Sequence, residues 1–189
     1  MERGRDKFNK YKKIMLSLSK FIGCFPLSFR KKIYLKIRNI SGNVGLAFRY
    51  IVLKTLVKEL GDNVSVHPNV FIFHPENLSI GNNVSIHPMC YIDATGEIEI
   101  GDDVSVAHGS TILSSNHIYK DIDIPIKDQG MENRRTIICN NVWLGAKSTI
   151  LGGVVIQSGN VVAAGAVVTK NFEKNSVLAG VPAKIIQRR

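Results

Sequence analysis

At 189 residues and 44% hydrophobic content the chain has the size and apolar fraction of one packed domain, which excludes a disordered or fibrous protein. A formal charge of +10 points toward nucleic acid, an acidic membrane surface or a phosphorylated ligand. Residues 1–60 carry 15 Lys and Arg against 3 acids, while residues 61–189 carry 10 against 12, so the whole excess is N-terminal.

Residues 1–59 read as a basic helical segment. Phe8, Tyr11, Met15, Leu18 and Ile22 recur in steps of three and four, an apolar stripe, with Lys7, Lys10, Lys13 and Lys20 largely off it. That is the form of a helix lying on an anionic membrane surface, and residues 1–25 are the expected contact; helices packed on the rest of the chain, with solvated lysines, are the other reading. A second helix is expected from Leu27 to Ile40, ended by the run Ser41 to Gly45, and a third from Leu46 to Leu60. The apolar stretch Ile14 to Phe29 is broken by Lys20 and Pro26 and no small-residue cleavage site follows, so no secretory signal is expected. It is also short for a bilayer span. Cys24, Cys90 and Cys139 are odd in number and widely spaced, which suits a reduced cytoplasmic setting better than a disulfide framework or a thiolate zinc site. The charge comes with no groove-reading or RNA-binding motif, so nucleic acid is not the expected partner.

From residue 60 onward the pattern changes. Leu60, Val66, Ile72; Ile80, Ile86, Ile92; Ile100, Val106, Ile112; Ile138, Leu144, Ile150; and Ile156, Val162, Val168 form five groups with a spacing of six inside each. Neither helical nor alternating periodicity produces this. Every break in register follows the third aliphatic of a group, with an excess of two, two and twenty residues. Three short strands per turn of a parallel β-helix, with insertions tolerated at one of three corners, account for both facts. Gly61, Gly81, Gly101, Asn82, Asn83, Asp102 and Asp103 then stand at corners, where tight or left-handed backbone is needed. A second inward position holds Val64, Val70, Val84, Cys90, Val104, Val142 and Val154, which makes Cys90 a core thiol.

The repeats GDNVSV, GNNVSI and GDDVSV, the loop NHIYKDIDIPIKDQG, and the series VWLGAKSTILGGVVI, VVAAGAVVTK and VLAGVPAKII resemble the hexapeptide-repeat acyltransferases, in particular O-acetyltransferases of the sugar and capsular-polysaccharide type. The resemblance implies a mainly β fold, a left-handed parallel β-helix over residues 60–189 behind the helical segment 1–59, since periodicity alone cannot fix the hand of the coil. It implies an acetyl-CoA-dependent O-acetyltransferase acting on a hydroxyl of a sugar or polysaccharide precursor, working as a homotrimer with its active sites between subunits. An amine or drug acceptor, or a non-catalytic β-helix scaffold, are the competing functions.

Particular residues follow. His117, at the base of the loop 113–135, is the expected general base, because a neutral imidazole is matched to taking a proton from a hydroxyl near neutral pH, and the matching histidine has that role in the family. Asp93 and Asn116 are candidates for holding the acceptor, with Asp93 also able to orient His117. By resemblance Trp143, Gly145, Ala146, Ala164, Thr169 and Lys170 line the acetyl-CoA site, the main-chain N–H at Ala146 facing the thioester carbonyl. Lys184 and Arg188 are candidates for the nucleotide phosphates. Ile124, Pro125, Ile126 and Gln129 are expected to cover a neighbouring subunit's site. His67 and His87, each before a proline, should stack as a corner ladder. No metal is expected: a zinc site of the carbonic anhydrase kind would need a second histidine five positions after His117, where Ile122 stands.

Overall fold

The computed structural model describes residues 4–189; the first three residues of the basic segment lie outside the described residues. The fifteen aliphatics become three ladders running up a parallel β-solenoid. Leu60, Ile80, Ile100, Ile138 and Ile156 stack in register on the first face. Val66, Ile86, Val106, Leu144 and Val162 do so on the second, and Ile72, Ile92, Ile112, Ile150 and Val168 on the third. All of them are buried except half-buried Ile72. A period of six therefore places every sixth side chain in one column, and that column is the core. The structure adds a partial sixth turn to the five expected: Phe172 bridges Ile156, and Ser176–Gly180 pairs with Val161 and Val162 before folding back antiparallel on Ala183–Arg188.

Corner chemistry is cooperative along the column. Asn63 donates to Asn83 and Asn83 to Asp103, both at 3.1 Å, and the main-chain N–H groups of Asp62, Asn82 and Asp102 donate to the side-chain oxygens of Asn82, Asp102 and Asn140 one turn on. Gly81 is obligatory there, since a Cβ would lie 2.4 Å from the Asp102 carboxylate.

An open solenoid end exposes unpaired carbonyls, and the N-terminal helices cover it. Helices α1 (Gly4–Gly23) and α2 (Leu27–Ile37) both pack on α3 (Gly42–Leu53), and α3 packs on the first turn. Arg49, fully buried on α3, donates Nε to the Val66 carbonyl (2.6 Å) and one guanidinium nitrogen to the carbonyls of Ile37, Arg38 and Ile40, so a single cation caps the end of α2 and the edge of the second face together. Tyr34 and Tyr50 hydroxyls serve the carbonyls of Val70 and Gly61, and Lys54 reaches that of Leu60.

Helix boundaries differ from those expected. The second helix stops at Ile37 and the third starts at Gly42 and ends at Leu53. Ser41 to Gly45 is not the breaker it resembles: Gly45 lies inside α3 because a Cβ there would sit 2.0 Å from the Ile40 carbonyl oxygen, so the glycine serves close packing of the α2–α3 connection. The stripe on α1 is also split. Phe8, Met15 and Ile22 face the body, Phe8 edge-on to Tyr50 at 5.1 Å, while Tyr11 and Leu18 are exposed.

His67 and His87 stack as anticipated, with ring centroids 4.9 Å apart and planes within 14°. Burial, then the neighbouring His87 and Arg49, push the His67 imidazole below its ordinary value. Neutral His67 is thus favoured by folding, and the unfolded chain takes up its proton first as pH falls. Stability should be flat above about pH 7 and decline from roughly pH 6.5 downward. Denaturant midpoints at a series of pH values between those limits and about pH 5 check this, and His67→Gln should flatten the slope.

Candidate functional site

Two edges of the solenoid carry the candidate chemistry. At the corner after the third face, the twenty-residue insertion is not a flexible loop but a β-hairpin, Ser115–His117 against Met131–Asn133, with His117 opposite Met131. Buried hydroxyls fix its base. Ser114 Oγ donates to the Asp93 carbonyl (2.7 Å) and accepts the Gly96 N–H (2.8 Å), while Thr136 Oγ1 donates to the Leu113 carbonyl (2.7 Å). His117 is exposed and stands at the end of this anchored strand, where its ring is open to an incoming substrate.

Asp93 lies one turn below. Its Oδ1 accepts from Thr95 Oγ1 (2.5 Å) and from the Thr95 N–H (3.1 Å), and Oδ2 lies 3.5 Å from Ser115 Oγ. Those contacts fold the corner, and no hydrogen bond joins Asp93 to His117 among the described residues. Asn116 lies over Gly152, where a Cβ would come 3.4 Å from its Nδ2. The hairpin tip is closed by Gln129, whose amide donates to the carbonyls of Asp121 and Ile124 (both 2.7 Å) and accepts the Asp121 N–H (3.1 Å). Gln129 is therefore spent within its own loop, which leaves exposed Ile122, Ile124 and Ile126 as the groups the tip presents outward.

The corner after the second face shows a regularity that the sequence reading missed. Its second position is Pro68, Pro88, His108, Ala146 and Ala164 going up the column, and its third is left-handed in every turn: Asn69, Met89, Gly109, Lys147, Gly165. Proline brings no N–H to this place. In the fourth and fifth turns the N–H groups of Ala146 and Ala164 donate to nothing among the described residues, while flanking Gly145 and Ala163 donate to the Val162 and Leu178 carbonyls (2.7 and 2.8 Å). Gly145 keeps this edge narrow, since a Cβ would lie 2.6 Å from the Ala164 nitrogen. On the second face of the fourth turn, three residues before Ala146, Trp143 is exposed between Ser105 and Val161 of the adjoining turns. Two free amides about one strand spacing, ~4.8 Å, apart along a smooth edge suit the carbonyl and amide oxygens of a narrow acyl chain.

Higher on the column a groove is lined by Lys170, Lys184, Phe172 and Ile185, with Lys170 5.8 Å from the Phe172 ring centre. Thr169 is exposed beside it. Arg188 is committed elsewhere, to Glu173 (2.5 Å) and Ser176 Oγ (3.3 Å), so of the two tail cations Lys184 alone faces this groove.

These features have counterparts in known proteins. Residues 135–170 match the model for bacterial transferase hexapeptide (six repeats). A galactoside O-acetyltransferase of Escherichia coli K12 is 31% identical over 140 residues, 74% of this chain and 68% of that protein. A relative from the same strain named for lipopolysaccharide biosynthesis O-acetyl transfer is 42% identical over 66 residues, and there the match spans only 34% of the relative's length. Among solved structures, a galactoside acetyltransferase in complex with coenzyme A superposes with a TM-score of 0.75 at 28% identity, over 87% of this chain and 83% of that one. Solenoid, corner edges and sequence agree, and the chain belongs to the hexapeptide-repeat acetyltransferases, a family of acyltransferases.

Proposed function

We propose that the protein transfers acetyl from acetyl-CoA to a hydroxyl of a sugar or polysaccharide precursor. The observation that carries this is the pair of unpaired N–H groups at Ala146 and Ala164, on an edge complementary to the one that carries His117. The thioester carbonyl lies against the Ala146 N–H and the pantetheine arm runs past Ala164, with Trp143 beside the thioester and Gly145 keeping the wall thin. Thr169, Lys170 and Lys184 take the distal, phosphate-bearing part. His117 removes the proton of the acceptor hydroxyl as its oxygen attacks the thioester carbon. The tetrahedral oxyanion is held by main-chain N–H, the carbon–sulfur bond breaks, and the CoA thiolate takes the proton from the imidazolium. Products are the acetyl ester and free CoA, with no acyl-enzyme. Asn116 and the lower edge near Asp93 bind the acceptor.

One chain does not bring these groups together. The corner with His117 and the corner with Ala146 lie on opposite sides of the third face, about six residues of extended chain, or ~20 Å, apart. A threefold arrangement in which third faces meet puts the first corner of one copy beside the second corner of the next. Phe71, Phe73 and Tyr91, between 38% and 46% exposed on that face, suit such a contact. The working unit in this reading is a cytoplasmic homotrimer.

The test is thiol release from acetyl-CoA with a panel of sugar hydroxyl, amine and drug acceptors, with products scored as ester or amide. Sugar-dependent thiol release with ester product is expected. Amide product would favour the amine reading, and absence of saturable acetyl-CoA binding would leave a scaffold.

A further inference from the structure

The inner and outer faces of the N-terminal helices differ in a way the solenoid cap does not require. Helix lysines directed at the body are paired: Lys12 with Asp62 at 2.5 Å and Lys31 with Glu76 at 3.0 Å. On the outer face Lys7, Lys13, Lys20, Lys32 and Lys36 make no ion pair among the described residues. Beside them Tyr11, Ile14, Leu18, Phe21 and Phe25 recur at steps of three, four, three and four, each between 38% and 65% exposed. This stripe is displaced around α1 from the one buried on α3. At the elbow between α1 and α2 it continues as an aromatic chain, Phe21 to Phe25 at 5.5 Å and Phe25 to Phe29 at 5.2 Å, and Lys32 and Lys36 follow on α2. No helix among the described residues is long and apolar enough to cross a membrane.

We propose that this elbow, rather than residues 1–25 as one amphipathic helix, is a docking surface for an anionic bilayer, and that the acceptor is a saccharide carried by lipid in that bilayer. Aromatic side chains rimmed by unpaired lysines match an interface in which rings sit among headgroups while ammonium groups meet anionic lipid. A second copy of the chain fits less well, because facing elbows would bring like charges together without any acidic counterpart. The helices close the first turn of the solenoid, so a bilayer beneath them lies about one helix diameter, ~10 Å, below the base of the column, and the hairpin of His117 starts two turns above that base, roughly 10 Å further along the axis. That height suits the headgroup of a glycolipid of a few sugars. If the site is trimeric as proposed, three elbows face the same side and bind together, an avidity gain of about 10² or more. The acceptor class rests on the transferase reading; the docking surface does not.

Flotation of the full chain with vesicles tests this. Binding should be about tenfold or more tighter to phosphatidylcholine containing roughly 30% phosphatidylserine than to phosphatidylcholine alone, and should weaken in high salt. F21S/F25S/F29S should lose about tenfold or more in vesicle binding, keep its oligomeric state and acetylate soluble methyl galactoside at the wild-type rate. Its transfer to a galactosyl lipid in the vesicles should fall in proportion to the lost binding. Equal binding by wild type and variant, or a changed oligomeric state in the variant, overturns the docking surface. Vesicle binding with no faster transfer to the galactosyl lipid than to methyl galactoside overturns the lipid-carried acceptor. Vesicle binding without transfer to either sugar overturns the transferase reading, and the acceptor class with it, while the docking surface stands.

Discussion

Replacing His117 by alanine should lower kcat for acetyl transfer by roughly 10² to 10⁴ while leaving KM for acetyl-CoA within about threefold. The split follows from position. His117 ends the Ser115–His117 strand at one corner, whereas the proposed donor site runs along the opposite corner, so the imidazole contributes to the transition state and little to donor binding. Because the His117 side chain is exposed and its imidazole makes no hydrogen bond among the described residues, truncation leaves no buried group unsatisfied, and the thermal midpoint should be unchanged. Ser114→Ala offers the contrast. Its hydroxyl both donates and accepts at the hairpin base and is fully buried, so this variant should lower stability and activity together. Steady-state kinetics with thermal unfolding on both variants distinguishes loss of a proton acceptor from loss of its support. Full turnover by His117→Ala would overturn the assignment.

Much of the column was legible because each sixth residue had to be aliphatic, and a triangular coil is a strong periodic constraint. The three ladders hold the fifteen residues that the spacing selects, and even the corner tolerant of insertions was readable from where the register slipped. The helical cap was less so. Gly45 carries the composition of a breaker but meets a packing demand set by Ile40, a contact that no local pattern reveals. On α1 two apolar stripes overlap, Phe8–Met15–Ile22 and Tyr11–Ile14–Leu18–Phe21, and only the position of α3 decides which one is buried. At the candidate site, residue types marked His117 and the small residues of the two upper turns. What stayed hidden was the hairpin, whose short strands Ser115–His117 and Met131–Asn133 have little β pattern and owe their pairing to Ser114 and Thr136 below them. The Pro, Pro, His, Ala, Ala series was present in the sequence all along; its meaning depends on knowing that the place is a corner whose N–H finds no partner in the turns that carry alanine.

That series supplies a clean way to delete one hydrogen-bond donor. Ala146→Pro removes the N–H proposed to face the thioester oxygen, and the corner already accepts proline at the same place in the first two turns, at Pro68 and Pro88, with the same left-handed residue after it. The N–H it removes has no partner among the described residues, so no internal bond is lost. Fold and oligomeric state should persist while kcat falls by about 10² to 10³, the usual effect of losing one oxyanion donor. The two damaged chains then become a test of where the site lies. His117→Ala and Ala146→Pro subunits are each nearly inactive alone. If a working site takes its imidazole from one copy and its amide from the next, random reassembly of equal amounts gives about one site in four with both groups intact, and about a quarter of wild-type activity should return. A site built within one chain would stay dead in every mixture, because each chain lacks one group. The ~20 Å width of the third face, which separates the two corners in a single chain, is the reason to expect recovery.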